Sequence, residues 1–199
     1  MFVTFEANVD NYQRMQNTNQ QYDLVIRECE DVFSKKTRDY GTAWRVLRTI
    51  SIIDQIYIKA QRIRTIQEKG QQKVDDDLGS EFLGIVNYSL IGLMQLELNE
   101  NDAEELEPSI AESLYHKYFS QAKKLMLNKN HDYGEAWRQM SQESFVDLIL
   151  MKLQRMKQIV SNKGKTLISE GLDANYFDMI NYSVFALIQM KYSNNESYR

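Results

Sequence analysis

The chain is short of the residues that interrupt helices and of those that build metal or disulfide frameworks: one proline, one cysteine, two histidines and eight glycines in 199 residues. With proline confined to Pro108, long stretches run without the residue that removes a helix hydrogen bond. A lone Cys29 excludes an internal disulfide and reads most simply as a small buried apolar side chain. There is no Cys/His zinc spacing, no glycine-rich phosphate loop and no Gly-x-Ser-x-Gly elbow. His116 and His131 have no counterparts of each other, and His131 beside Asp132 reads as a turn residue. No segment approaches the roughly 18 apolar residues of a membrane span. Residues 1–10 lack the charged start and apolar run of a secretory signal, so a cytoplasmic protein without membrane contact is expected.

Net charge is small too. The 24 basic and 28 acidic residues leave a net charge of -4. Glu100, Asp102, Glu104, Glu105 and Glu107 crowd one short stretch, which leaves the rest nearly neutral. Broad binding to duplex nucleic acid needs a concentrated basic face, and none is present. A small anionic ligand at a local basic cluster remains open.

What the chain does have is itself, twice. Asp39, Tyr40, Gly41, Ala43, Trp44 and Arg45 recur as Asp132, Tyr133, Gly134, Ala136, Trp137 and Arg138. Ser51, Asp54, Lys59, Gln61 and Arg62 recur in the same register as Ser144, Asp147, Lys152, Gln154 and Arg155. After one inserted residue, Asn87, Tyr88 and Ser89 recur as Asn181, Tyr182 and Ser183. A shared core explains repeated apolar positions but does not by itself explain repeated acids, bases and amides.

Apolar residues recur at three and four positions rather than alternating, which predicts helices over 21–36, 51–69 and 79–98 and again over 109–129, 144–162 and 173–192. Ser51 reads as an N-cap, Ser109 with Glu112 as a capping box, and Gly41 and Gly70 as helix ends. The fold class is therefore all-α, a tandem repeat of two three-helix units packed as a pseudo-twofold bundle, since each unit of about 80 residues is marginal alone. Residues 1–20 form an N-terminal extension with at most a short helix, 21–98 repeat 1, 99–108 an acidic linker, 109–192 repeat 2 and 193–199 a polar tail. The paired Tyr40/Tyr133, Trp44/Trp137, Ile56/Ile149 and Leu93/Leu187 read as core.

The polar pairs are the candidate chemistry. Lys59 and Arg62, with Lys152 and Arg155, lie three apart on one helical face that Asp54 and Asp147 would share. Asn175, Asp178 and Asn181 step by three along the third helix of repeat 2, where repeat 1 has Glu81, Gly84 and Asn87. Each half thus keeps one carboxylate of an acid-x-x-acid pair. A mid-helix glycine costs about 1 kcal/mol against alanine, so Gly84 implies a close approach or a decayed site. Glu28 and Asp31 form one further pair, and two carboxylates a turn apart suit magnesium, which takes hard oxygen ligands.

Lys129 to Gly134, Asp147 to Arg155 and Asp178 to Tyr182, with their partial second copy, resemble the signature of the nucleotide modification associated domain, a helical family. Its helical pattern is similar to that of all-α nucleotide pyrophosphohydrolases of the MazG and dimeric dUTPase type. The resemblance implies a magnesium-dependent, nucleotide-processing protein. Lys152, Arg155, Asn181 and Tyr133 would contact a nucleoside triphosphate, Asp147 and Asp178 would hold magnesium, and Asp132, Glu28, Asp31, Glu81, Lys59 and Arg62 would be secondary candidates. Asn175 departs from the glutamate the family pattern would place there, and Gly84 departs in repeat 1. The alternative is a non-catalytic helical interaction module, in which Asp147, Lys152, Arg155, Asp178 and Asn181 form a buried polar network that fixes how the halves dock. Pairing into a homodimer is compatible with either.

Overall fold

Helix length here follows from the scarcity of breakers. The computed structural model describes residues 3–70, 77–98, 105–165 and 170–192, with side chains described from residue 18 onward. Six α-helices result: α1 Val3–Tyr40, α2 Thr49–Lys69, α3 Leu78–Glu97, α4 Pro108–Tyr133, α5 Gln142–Ser161 and α6 Leu172–Tyr192, with no strand among the described residues. The all-α tandem arrangement is as the sequence implies. In one respect the helices exceed it: α1 runs unbroken from Val3, so most of the N-terminal extension belongs to it. The first glycine or proline in the chain is Gly41, glutamine is a good helix former, and asparagine lowers helix propensity without ending a helix.

Gly41 and Gly134 end α1 and α4 at φ 65° and 62°, in the left-handed region where glycine has no Cβ penalty. Each donates its N–H back four residues, to Thr37 O and Asn130 O, both at 2.9 Å. The chain then makes a single 3-10 turn, Ala43–Val46 and Ala136–Gln139, which the apolar spacing does not announce. These turns carry Trp44 and Trp137 into the core.

The N-terminal signals need correction. Ser51 lies inside α2, whose N-cap is Arg48 without a side-chain bond. In repeat 2 the cap is Ser141, accepting from the Ser144 N–H at 3.2 Å. The box at Ser109 is not formed either, because Pro108 already occupies the first helical turn, where its missing N–H costs nothing.

The two repeats face each other as like against like. Across the two repeats α3 packs on α6 most extensively of all, and α2 also packs on α5 and α1 on α4, while α1 meets α6 as α4 meets α3. Close approach of α3 and α6 depends on Gly92, because a Cβ there would overlap the Tyr176 ring. Between α2 and α5 the pseudo-twofold is written in charge. Asp54 pairs with Lys157 at 2.8 Å and Asp147 with Arg64 at 3.8 Å, the same positions exchanged between repeats.

The amides repeat the pattern in the interior. The Tyr115 phenol donates to Asn87 Oδ1 at 3.0 Å, and Tyr22 donates to Asn181 Oδ1 at 2.8 Å, each tyrosine coming from the other repeat. Each asparagine donates in turn to its own repeat's first helix, Asn87 to Cys29 O at 2.9 Å and Asn181 to Ala122 O at 3.3 Å. All four side chains are buried, so the network is satisfied and specific to this docking.

Candidate functional site

The C-terminal halves of α4 and α5 and the N-terminal half of α6 converge on Asp178. Its carboxylate accepts from Lys129 Nζ at 2.6 Å through Oδ1 and from Lys152 Nζ at 2.5 Å through Oδ2. Lys152 and Asp178 are each 7% exposed, whereas the side chain of Lys129 is half in solvent. Burial works to raise the Asp178 pKa, but the two ammonium groups outweigh it and hold the carboxyl below its ordinary value. Burial likewise works to lower Lys129, and Asp178 overcomes it, so that lysine is held above its ordinary value. Tyr182, half-buried one turn along α6, is pushed up first by burial and then by the Asp178 charge, with Arg155 acting the other way. One turn earlier, buried Asn175 donates to Gly171 O at 2.7 Å, while its own Oδ1 is buried without a protein partner.

Repeat 1 assembles the same kinds of group differently. Glu81, buried in the position of Asn175, receives Lys59 Nζ at 3.1 Å and the Arg62 guanidinium. Gly84 stands where repeat 2 has Asp178. A Cβ at Gly84 would meet Lys59 Cε at 2.7 Å, so the lysine stem lies directly on α3 there. Lys36, the counterpart of Lys129, has no carboxylate at the equivalent position.

A cavity of about 540 Å³ opens in this repeat, walled by the end of α1, the turn that follows, α2 and α3. Lys36, Lys59 and Glu81 supply its charge and Tyr40, Trp44 and Tyr88 its aromatic surface. Its cause is legible in three size differences. Leu83, Gly84 and Ile91 on the cavity wall stand where repeat 2 has Phe177, Asp178 and Phe185. In repeat 2, Phe185 stacks on Trp137 with ring centroids 4.3 Å apart and fills that flank. Tyr40 is more than half exposed at the rim; burial, then Tyr88 and Asp39, push its phenol up.

The residues expected to form one site are thus divided. Lys152 and Asp178 meet, with Lys129 as a third member that the reading of the sequence did not put forward. Asp147 does not join them. It lies five residues from Lys152, about 140° around the helix axis, and turns to Arg64 of α2. Asp178, with both oxygens taken by ammonium groups, and Asp147, on another face, do not fit a magnesium pair. Among the described residues no group of three or more His, Cys, Asp and Glu side chains comes together. Asn181 is consumed by its bonds to Tyr22 and Ala122 and has no free atom for a substrate. Arg155 is exposed on the turn after Lys152, and Tyr133 is 74% exposed. Its partner Tyr40 is also exposed, so these two tyrosines are not core; Trp44, Trp137, Ile56, Ile149, Leu93 and Leu187 are buried as expected. Asp132 pairs with His131 at 3.1 Å in solvent. Glu28 and Asp31 are bound to lysines, Lys191 and Lys35, and form no metal pair with each other. Of the secondary candidates only Glu81, Lys59 and Arg62 belong to a common cluster.

Comparison with known families adds one decisive observation. A match to the family described as nucleotide modification associated domain 1 covers residues 36–96 and again 129–190, more than half of the chain. The chain belongs to this family. It carries the nucleotide modification associated domain twice, each copy beginning at the paired lysines Lys36 and Lys129 and running through α3 or α6. Searches among curated proteins and solved structures return no match. No helix among the described residues is long and apolar enough to cross a membrane.

Proposed function

We propose that this protein binds a nucleotide, and that the working site is the cavity of repeat 1 rather than the closed cluster of repeat 2. The observation that carries the proposal is the cavity wall itself, which sets two ammonium groups, Lys36 and Lys59, beside Tyr40, Trp44 and Tyr88. Ammonium groups suit phosphate oxygens, and aromatic faces suit a base. About 540 Å³ falls in the range of small-molecule sites. The family's link to nucleotide modification points the same way.

For pyrophosphohydrolase chemistry of the MazG type, carboxylates would have to hold magnesium beside the phosphates. Among the described residues Glu81 is the one carboxylate on the cavity wall, and Lys59 and Arg62 engage both of its oxygens. In this proposal magnesium therefore enters as the counter-ion of the nucleotide's own phosphates, and binding precedes any question of hydrolysis. The asparagine–tyrosine network supports the docking part of the alternative reading and leaves the cavity residues unexplained.

Thermal unfolding with nucleoside mono-, di- and triphosphates, with and without magnesium, is the test. A ligand at 100 times its dissociation constant adds about 2.7 kcal/mol, several degrees in a chain of this size. Lys36→Ala should remove the shift and Lys129→Ala should keep it, while no shift with any nucleotide refutes the proposal. Pyrophosphate release then separates hydrolysis from binding.

A further inference from the structure

The two repeats are internal references for one another, and repeat 2 shows what its paired lysines hold. Lys129 and Lys152 close on a single carboxylate, that of Asp178, at 2.6 and 2.5 Å. Their counterparts Lys36 and Lys59 stand on one cavity wall with Gly84 in the carboxylate's place. Two cations meet a carboxylate in each repeat, Lys59 and Arg62 at Glu81 and Lys129 and Lys152 at Asp178, and Lys36 is a further cation on the cavity wall. Paired ammonium groups suit the oxygens of a phosphate.

We infer that Asp178 is a built-in plug and that in repeat 1 an anionic phosphate group of the ligand takes its place, bridging Lys36 and Lys59. Repeat 2 is then a latent anion site held shut by its own side chain. Its plug is small, but Phe185, stacked on Trp137, takes up part of the space that is cavity in repeat 1. Freed of Asp178, repeat 2 admits a bare inorganic anion and not a whole nucleotide. This inference rests on the cavity of repeat 1 being a ligand site, and it fixes which atoms of the wall hold the phosphate end. Lys59 moves from Glu81 toward the new anion, as Lys152 already lies in repeat 2, and Gly84 is what leaves its stem room to do so.

Calorimetric titration with inorganic pyrophosphate tests this directly. The wild-type chain should bind one equivalent. Gly84→Asp should supply the missing plug and weaken binding about a hundredfold, the effect of losing a two-lysine contact to a charged group. Gly84→Asn, equal in bulk and uncharged, should bind far better than Gly84→Asp. Asp178→Ala should bind two equivalents of pyrophosphate while still taking one nucleoside triphosphate. If Gly84→Asp fails to fold, the Asp178→Ala stoichiometry decides alone. A wild-type chain that ignores pyrophosphate, Gly84→Asp binding as wild type does, or Asp178→Ala holding at one equivalent overturns the inference. The nucleotide proposal fails separately: pyrophosphate bound without any effect of the nucleoside leaves the plug standing, and nucleotide binding indifferent to Gly84→Asp leaves the nucleotide standing.

Discussion

Replacing Asp178 with alanine strands a buried ammonium group, and the two lysines that lose their partner should not suffer equally. Lys152 is 7% exposed and its ammonium group is bonded to Asp178, so it has little water to turn to. Removing one partner of a buried pair costs about 3–5 kcal/mol, because the remaining charge is left desolvated. Lys129 has its side chain half in solvent and its share should stay below about 1 kcal/mol. At roughly 2–4 °C per kcal/mol for a chain of this length, Asp178→Ala should lower the unfolding midpoint by about 6–20 °C, against a degree or two for Lys129→Ala. Replacing both members of the buried pair, Asp178→Leu with Lys152→Met, should recover most of the loss, since an apolar pair of similar volume is often neutral. The sign of the pH dependence follows from the carboxyl. Its folded pKa lies below the ordinary value, so its contribution is complete above about pH 4 and fades as pH falls further through the folded value. Urea unfolding followed by circular dichroism should therefore show a constant gap between wild type and Asp178→Ala from pH 7 down to about pH 4, closing below it. A loss under about 1 kcal/mol at pH 7, equal to that of Lys129→Ala, would refute the argument that Lys152 is stranded.

Other positions separate packing from surface charge. Gly92→Ala forces a methyl into the Tyr176 ring and should cost about 1–3 kcal/mol in thermal unfolding, with Gly92→Ala/Tyr176→Phe no better because the overlap is with the ring itself. Asn181→Leu orphans the buried Tyr22 hydroxyl, whereas the Ala122 carbonyl keeps its helix partner, and should cost about 1–3 kcal/mol while leaving nucleotide binding unchanged. Asp147→Asn breaks only a 3.8 Å pair with a half-exposed arginine, so stability should move by less than about 1 kcal/mol and any magnesium dependence should persist.

Much of the fold was legible because duplication doubles the signal. The helix ends at Gly41 and Gly70 are glycines in the left-handed region, and the apolar spacing of α2, α3, α5 and α6 agrees with the observed ends to within two residues. The length of α1 is not legible in composition, because a polar stretch without glycine or proline carries no signal that ends a helix. The site was legible only in part, for a physical reason: in a fused pseudo-dimer, repeated polar letters arise from contacts made twice across the axis as readily as from ligand binding. Asp54 and Asp147 are repeated because each meets a base of the other repeat, and Asn87 and Asn181 because each receives the other repeat's tyrosine. The cavity instead lies where the letters differ, at Leu83, Gly84 and Ile91 against Phe177, Asp178 and Phe185. Volume lost on one side of a near-symmetric pair was the signal that could have located it.

Trp44 lines the cavity, whereas Trp137 is stacked on Phe185 in the filled repeat, so each can be made the sole indole reporter of its own half. Titration of Trp137→Phe and Trp44→Phe with a nucleoside triphosphate, read by tryptophan fluorescence, tests the central claim most directly. The account predicts a saturable change from Trp44 that Lys36→Ala abolishes, and none from Trp137. A change from Trp137 with Trp44 silent would place binding in the wrong repeat and contradict it.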